Sequence, residues 1–133
     1  MARMQAVYYR DPAGSEPVSL FIDHLGPRVQ AEIDWHVELL NGLDERDPPL
    51  GFPHSSQVRG ELRELRCHYG RCLFRVLYRR SERLFVLLHA FEKRTGKIPA
   101  SDVSIAERRW DDFRARMEAL PRRGPRAAGH DAP

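Results

Sequence analysis

The sequence predicts an α+β domain: a first strand and two helices, then an antiparallel three-stranded meander, then a closing helix. Three observations carry this. Apolar residues recur at helical spacing in the first third of the chain, at alternating spacing between residues 62 and 91, and at helical spacing again beyond residue 100. With 133 residues, the chain is long enough for one domain with its own core.

Residues 4–10 (Met-Gln-Ala-Val-Tyr-Tyr-Arg) are rich in strand formers and stop at the turn cluster Asp11-Pro12-Ala13-Gly14, which predicts the first strand. Residues 17–25 read as a short helix with Pro17 in its first turn and Gly26-Pro27 at its end. Pro27 opens a second helix, whose Val29, Ile33, Val37 and Leu40 share one face. Asn41-Gly42 closes it, and Asp47-Pro48-Pro49-Leu50-Gly51-Phe52-Pro53 is an extended, stiff loop. Residues 62–68 form the meander's first strand, with Tyr69-Gly70 as the turn. Cys72, Phe74, Val76 and Tyr78 then alternate with Leu73, Arg75 and Leu77. Residues 84–91 are apolar on both faces, as expected of a central strand, and the first strand is expected at a sheet edge. Ala106, Trp110, Phe113, Met117 and Leu120 mark the last helix, with Pro99 near its start. The domain is expected over residues 1–120, with 121–133 as a disordered basic tail rich in Pro, Gly, Ala and Arg.

The net charge of +3 is unevenly spread. Residues 1–53 carry four arginines against nine acids, whereas residues 54–97 carry eleven Lys/Arg against four acids. A basic middle beside an acidic start suggests one positive face directed at a polyanion. The longest strictly aliphatic-aromatic run, residues 84–88, is too short to span a bilayer, and two cysteines are not a secreted disulfide framework. The cytoplasm is the expected compartment, with no membrane partner.

Arg66 and Arg75 fall on neighbouring strands of the meander, where two guanidiniums repel unless an anion lies between them. Either a phosphate or a local carboxylate (Glu61, Glu64 or Glu92) satisfies that condition. Lys93, Arg94 and Lys97 follow the last strand, where a nucleic-acid backbone can run. Tyr69 and Phe91 are candidates to stack on unpaired bases, and His89 to carry a proton near neutral pH. Cys67, His68 and Cys72 match no zinc spacing, and neither a Gly-rich phosphate loop nor a Gly-x-Ser-x-Gly elbow is present. No metal and no cofactor are expected.

Three segments together resemble the phage-derived HigB-like toxins of the RelE/ParE superfamily. They are Leu62-Arg63-Glu64-Leu65-Arg66, then Gly70-Arg71-Cys72-Leu73-Phe74-Arg75-Val76-Leu77-Tyr78, then Val86-Leu87-Leu88-His89-Ala90-Phe91-Glu92-Lys93-Arg94-Thr95-Gly96-Lys97-Ile98-Pro99. The resemblance covers roughly residues 4–117. It implies a RelE-like compact fold and the toxin role in a type II toxin–antitoxin system, neutralised by a helix-turn-helix (HigA-like) antitoxin. It also implies metal-independent, ribosome-dependent mRNA cleavage that inhibits translation. On that resemblance Arg66, Arg75, His89 and Lys93 are the catalytic candidates, and Tyr69, Phe91, Arg94, Thr95 and Lys97 the RNA-binding ones. Arg94 stands where the pattern usually has lysine. The alternatives are a ParE-like inhibitor of DNA gyrase and a non-catalytic nucleic-acid-binding module.

Overall fold

A computed structural model describes residues 3–94, 96–119 and 126–129. The element order is β1 (Gln5–Tyr8), α1 (Pro17–Asp23), α2 (Pro27–Asn41), β2 (Ser55–Arg59), β3 (Leu62–Tyr69), β4 (Cys72–Ser81), β5 (Leu84–Lys93) and α3 (Ala100–Ala119). The strands form one sheet in the order β1-β5-β4-β3-β2. The expected α+β class, the two early helices and the closing helix are all present.

The sheet differs from the expected one in two respects. β1 lies at a sheet edge as expected, but it pairs with β5 in parallel, so the sheet is mixed rather than wholly antiparallel. This direction follows from the path: α1, α2 and the whole meander intervene, and a long crossover permits parallel pairing. The second difference is β2, an additional edge strand against β3. Its sequence, Ser-Ser-Gln-Val-Arg, has no apolar alternation, because only Ser55 is buried.

Tight turns connect the meander. Gly60 and Gly70 take positive φ in the β2–β3 and β3–β4 turns, while Glu82 does so in the β4–β5 turn without glycine's freedom.

Each face of the sheet has its own core. α1 and α2 cover one face, where Ile33, Val37 and Leu40 meet Leu65, Val76, Tyr78 and Leu87. α3 covers the other, where Ala106, Trp110 and Phe113 meet Val7, Leu77, Val86 and Leu88. Each such large apolar side chain contributes about 1.5–3 kcal/mol on burial. A bulge interrupts the β4–β5 ladder: Leu77 pairs with His89, and Tyr78 with Leu87. The extra residue rephases β5, so that Leu88 and His89 both meet α3 while Ala90 packs on the opposite face.

The expected disordered tail falls partly outside the described residues, at 121–125 and 130–133. Residues 126–129 instead lie along β1. Tyr8 N–H donates to Arg126 O at 2.9 Å, Ala128 N–H donates to Ala6 O at 2.8 Å, and Ala128 is fully buried. The Arg126 guanidinium holds a Glu16 carboxylate oxygen at 2.8 Å and covers the Tyr8 ring. Local composition reports the absence of an apolar stripe, but not an unpaired strand edge more than a hundred residues away.

No helix among the described residues is long and apolar enough to cross a membrane.

Candidate functional site

α3 covers only part of its face. At the β2–β3 end the exposed side of the sheet turns polar, and the residues that do so come from alternate positions of β3 and their partners on β4. Glu64, Arg66 and His68 alternate with the core residues Leu65 and Cys67, so they point towards the α3 side. Arg66 pairs directly with Arg75, and Arg75 in turn with Phe91 on β5.

The anion required between the two guanidiniums is Glu64. Its Oε1 lies 3.0 Å from Arg75 Nε, and its Oε2 lies 3.3 Å from Arg66 Nη1. The Arg75 contact is an ion pair in which the N–H is not aimed at the oxygen, since neither atom completes a hydrogen bond. Ser56 Oγ donates to Oε2 at 2.6 Å and fixes the carboxylate. Arg75 is 1% exposed and also donates to Phe74 O at 3.2 Å. Burial pulls its guanidinium below its ordinary pKa and Glu64 holds it up, with Arg66 adding repulsion. Arg75 is a buried cation that orients Glu64, and Arg66 is the partly exposed member.

Beside Glu64 a groove of about 470 Å³ runs between β2–β3 and the first turns of α3. Arg59, Lys93 and Lys97 line it, together with Ile98, Val103 and Ser104. Among the described residues Lys93 and Lys97 form no ion pair, so their charges are available to a ligand.

The other sequence candidates are dispersed. His89 is committed to α3: Nε2 lies 2.6 Å from Asp102 Oδ1, and Arg109 Nη1 donates to Nδ1 at 3.3 Å. That assigns the proton to Nε2, with burial lowering the imidazole pKa against the pull of Asp102. With both nitrogens occupied, the ring joins strand to helix and offers no free atom for proton transfer. Phe91 stacks on His89 at 5.4 Å and is half-buried there. Tyr69 follows Cys67 in the alternation and falls on the α1–α2 side of the sheet, away from Arg66. Arg94 is exposed beyond β5, and Thr95 lies outside the described residues.

Two residues outside the sequence candidates adjoin Arg66. His68 is exposed and forms no hydrogen bond among the described residues. Partial burial, then the charges of Arg75 and Arg66, lower its pKa from the ordinary 6.5, so it is neutral at pH 7. Phe52 presents its ring to the Arg66 guanidinium at 5.0 Å. His68 shares a face with Arg66 because the two are alternate residues of β3, whereas Phe52, in the loop before β2, reaches Arg66 only through the tertiary fold.

The sequence model of the family described as "Phage derived protein Gp49-like (DUF891)" matches residues 21–111. The chain belongs to that family. The Gp49-like family is HigB-like and falls within the RelE/ParE toxins. Its match runs from the end of α1 to the middle of α3, and so includes the groove, Glu64, Arg66 and Arg75. No curated protein matches this Gp49-like chain.

Proposed function

We propose that this Gp49-like protein is the toxin of a type II toxin–antitoxin pair and inhibits translation by cutting mRNA on the ribosome, with a helix-turn-helix antitoxin as its neutralising partner. The observation that carries the reading is Arg66, held at the uncovered end of the sheet by Glu64 beside a groove whose Lys93 and Lys97 form no ion pair among the described residues. A guanidinium fixed by a carboxylate beneath it is oriented before the ligand arrives, which reduces the reorganisation needed to meet a phosphate.

In the proposed reaction a ribose 2′-oxygen forms a bond to the adjacent phosphorus, and the bond from phosphorus to the 5′-oxygen breaks. The products are a 2′,3′-cyclic phosphate and a 5′-hydroxyl end. Arg66 and Lys93 stabilise the extra negative charge on the phosphorane, and Lys97 guides the strand. His68, neutral and without a hydrogen bond among the described residues, accepts the 2′-proton, and a water molecule supplies the proton that the departing 5′-oxygen takes up; His89, with both ring nitrogens engaged, does neither. Positioning by the ribosome supplies the rest of the alignment.

The test is induction in a bacterial host with primer extension on an abundant mRNA. Cuts within translated codons are expected, absent with Arg66→Ala and reduced with His68→Gln. Because His68 must be neutral and its pKa is lowered, cutting by the isolated protein on ribosomes should be retained at pH 7 and decline as pH falls through the lowered imidazole value. Intact mRNA with arrested DNA replication would point instead to gyrase as the target. Intact mRNA with salt-sensitive RNA binding would leave a passive binder.

A further inference from the structure

We infer that Phe52, backed by the Arg66 guanidinium, is a stacking subsite for an unpaired nucleobase of the RNA whose phosphate Arg66 meets. The inference rests on the reading of Arg66 as a phosphate contact and adds the ligand's base.

The residues expected to stack are unavailable for it. Phe91 already stacks on His89, and Tyr69 faces the other side of the sheet. Phe52 is instead 76% exposed, more than Leu20, Trp35 or Tyr69, the other large apolar side chains exposed among the described residues. A single exposed phenylalanine carries no functional meaning alone. This one is held in place. Pro48, Pro49 and Pro53 restrict the backbone around it. Arg63 Nη2 donates to Leu50 O at 2.7 Å, and Leu50 packs against the core. His54 N–H and Ser55 N–H both donate to Gly51 O at 3.1 Å. The loop is thus fastened on both sides of the ring, and ordering it on binding costs little entropy.

The Arg66 contact gives the ring its chemical sense. One side of the phenyl meets a cation at 5.0 Å, within cation–π range, and most of the ring surface remains open. The same guanidinium is held by Glu64, which lines the groove with Arg59, Lys93 and Lys97. A nucleotide places a flat π-face within reach of its own phosphate. A phosphate on Arg66 and a base on Phe52 therefore fit one nucleotide of a single strand. In a duplex the base faces are already stacked, so the subsite selects unpaired RNA. Stacking is tolerant of base identity, so it supplies affinity and position without a sequence code.

The test compares an oligouridylate with an abasic ribose-phosphate strand of equal length, titrated against the purified full chain. The wild type should bind the oligouridylate more tightly, by roughly 5- to 150-fold. Phe52→Ala should remove that preference while leaving affinity for the abasic strand unchanged. Phe52→Trp should keep it, and Phe52→Leu should lose most of it, since leucine is apolar but has no π-face. Phe52 is exposed, so all three should melt like the wild type. An undiminished preference in Phe52→Ala, or its full retention in Phe52→Leu, would overturn the inference. So would normal RNA binding by Phe52→Ala alongside weakened antitoxin binding, which would make the ring a protein anchor. The two readings separate cleanly. RNA binding that depends on Phe52 without cleavage overturns the nuclease alone. Codon cuts undiminished in Phe52→Ala, with the oligouridylate preference intact, overturn the stacking subsite alone.

Discussion

Glu64 and Leu65 are consecutive on β3 and point to opposite faces of the same sheet. Leu65 is sealed beneath α2 among aliphatic and aromatic neighbours. Glu64 is nearly as buried, yet its surroundings are Ser56, Arg66 and Arg75. One face is therefore closed and apolar. The other is closed only where α3 lies over it, and becomes polar where the helix no longer covers the strands. The lesson is one of coverage. A sheet with two helices on one side and one on the other has an uncovered corner, and a buried charged pair can hold a partly exposed cation there.

The largest effects should come from that adjacent pair. Glu64→Ala leaves Arg75 as a buried, unpaired cation and should cost about 3–5 kcal/mol in urea unfolding. Leu65→Ala should cost about 2–5 kcal/mol through the cavity it leaves. What separates them is rescue. Adding Arg75→Met to Glu64→Ala should recover much of the loss, whereas adding it to Leu65→Ala should lower stability further. If no recovery followed, the charged pair would not be what makes Glu64 costly to remove.

A smaller effect tests how the closed face is sealed at its edge. Truncation after Ala119 removes the segment along β1, the Arg126–Glu16 pair and the Ala128 contacts, and should cost about 1–3 kcal/mol. A truncated chain as stable as the whole would mean that the strand edge gains nothing from its cover.

Thiol chemistry reads the same asymmetry without loss of stability. Burial pushes the Cys67 thiol up to about 12, while Cys72 is exposed at the strand end. One thiol per chain should react with a maleimide in the native state at pH 7, and two in denaturant. Rapid native labelling of both would show that the α1–α2 face opens readily.

The smallest effect concerns His89, which ties β5 to α3. Its folded-state pKa lies below the ordinary 6.5, so the unfolded chain takes up the proton more readily. Stability from this group is complete above pH 6.5 and is lost as pH falls through the folded value. His89→Gln should flatten that part of the stability profile, and an unchanged slope would assign it to another group.

Much of this architecture was legible locally. The stripe Val29, Ile33, Val37 and Leu40 is the buried side of α2, and Ala106, Trp110 and Phe113 are the buried side of α3. Residues 84–88 are central because both sides of β5 meet a core. The opposition of Arg66 and Arg75 was legible too, from a short hairpin whose register its turn sets. What lay between them was not. Glu64 was one of three carboxylates within reach, and Ser56, which fixes it, belongs to a strand with no alternating pattern. The partners of His89, Asp102 and Arg109, were not legible either, because they come from a helix that follows it.

By itself the sequence determined the helical stripes, the alternating strands and the concentration of positive charge in residues 54–97, because periodicity and composition are properties of neighbouring residues. Only the tertiary structure decided that β1 runs parallel to β5, that residues 126–129 cover its edge, and that Phe52 adjoins Arg66. Those outcomes depend on contacts between distant segments, whose free energy is realised only after the loops between them have closed.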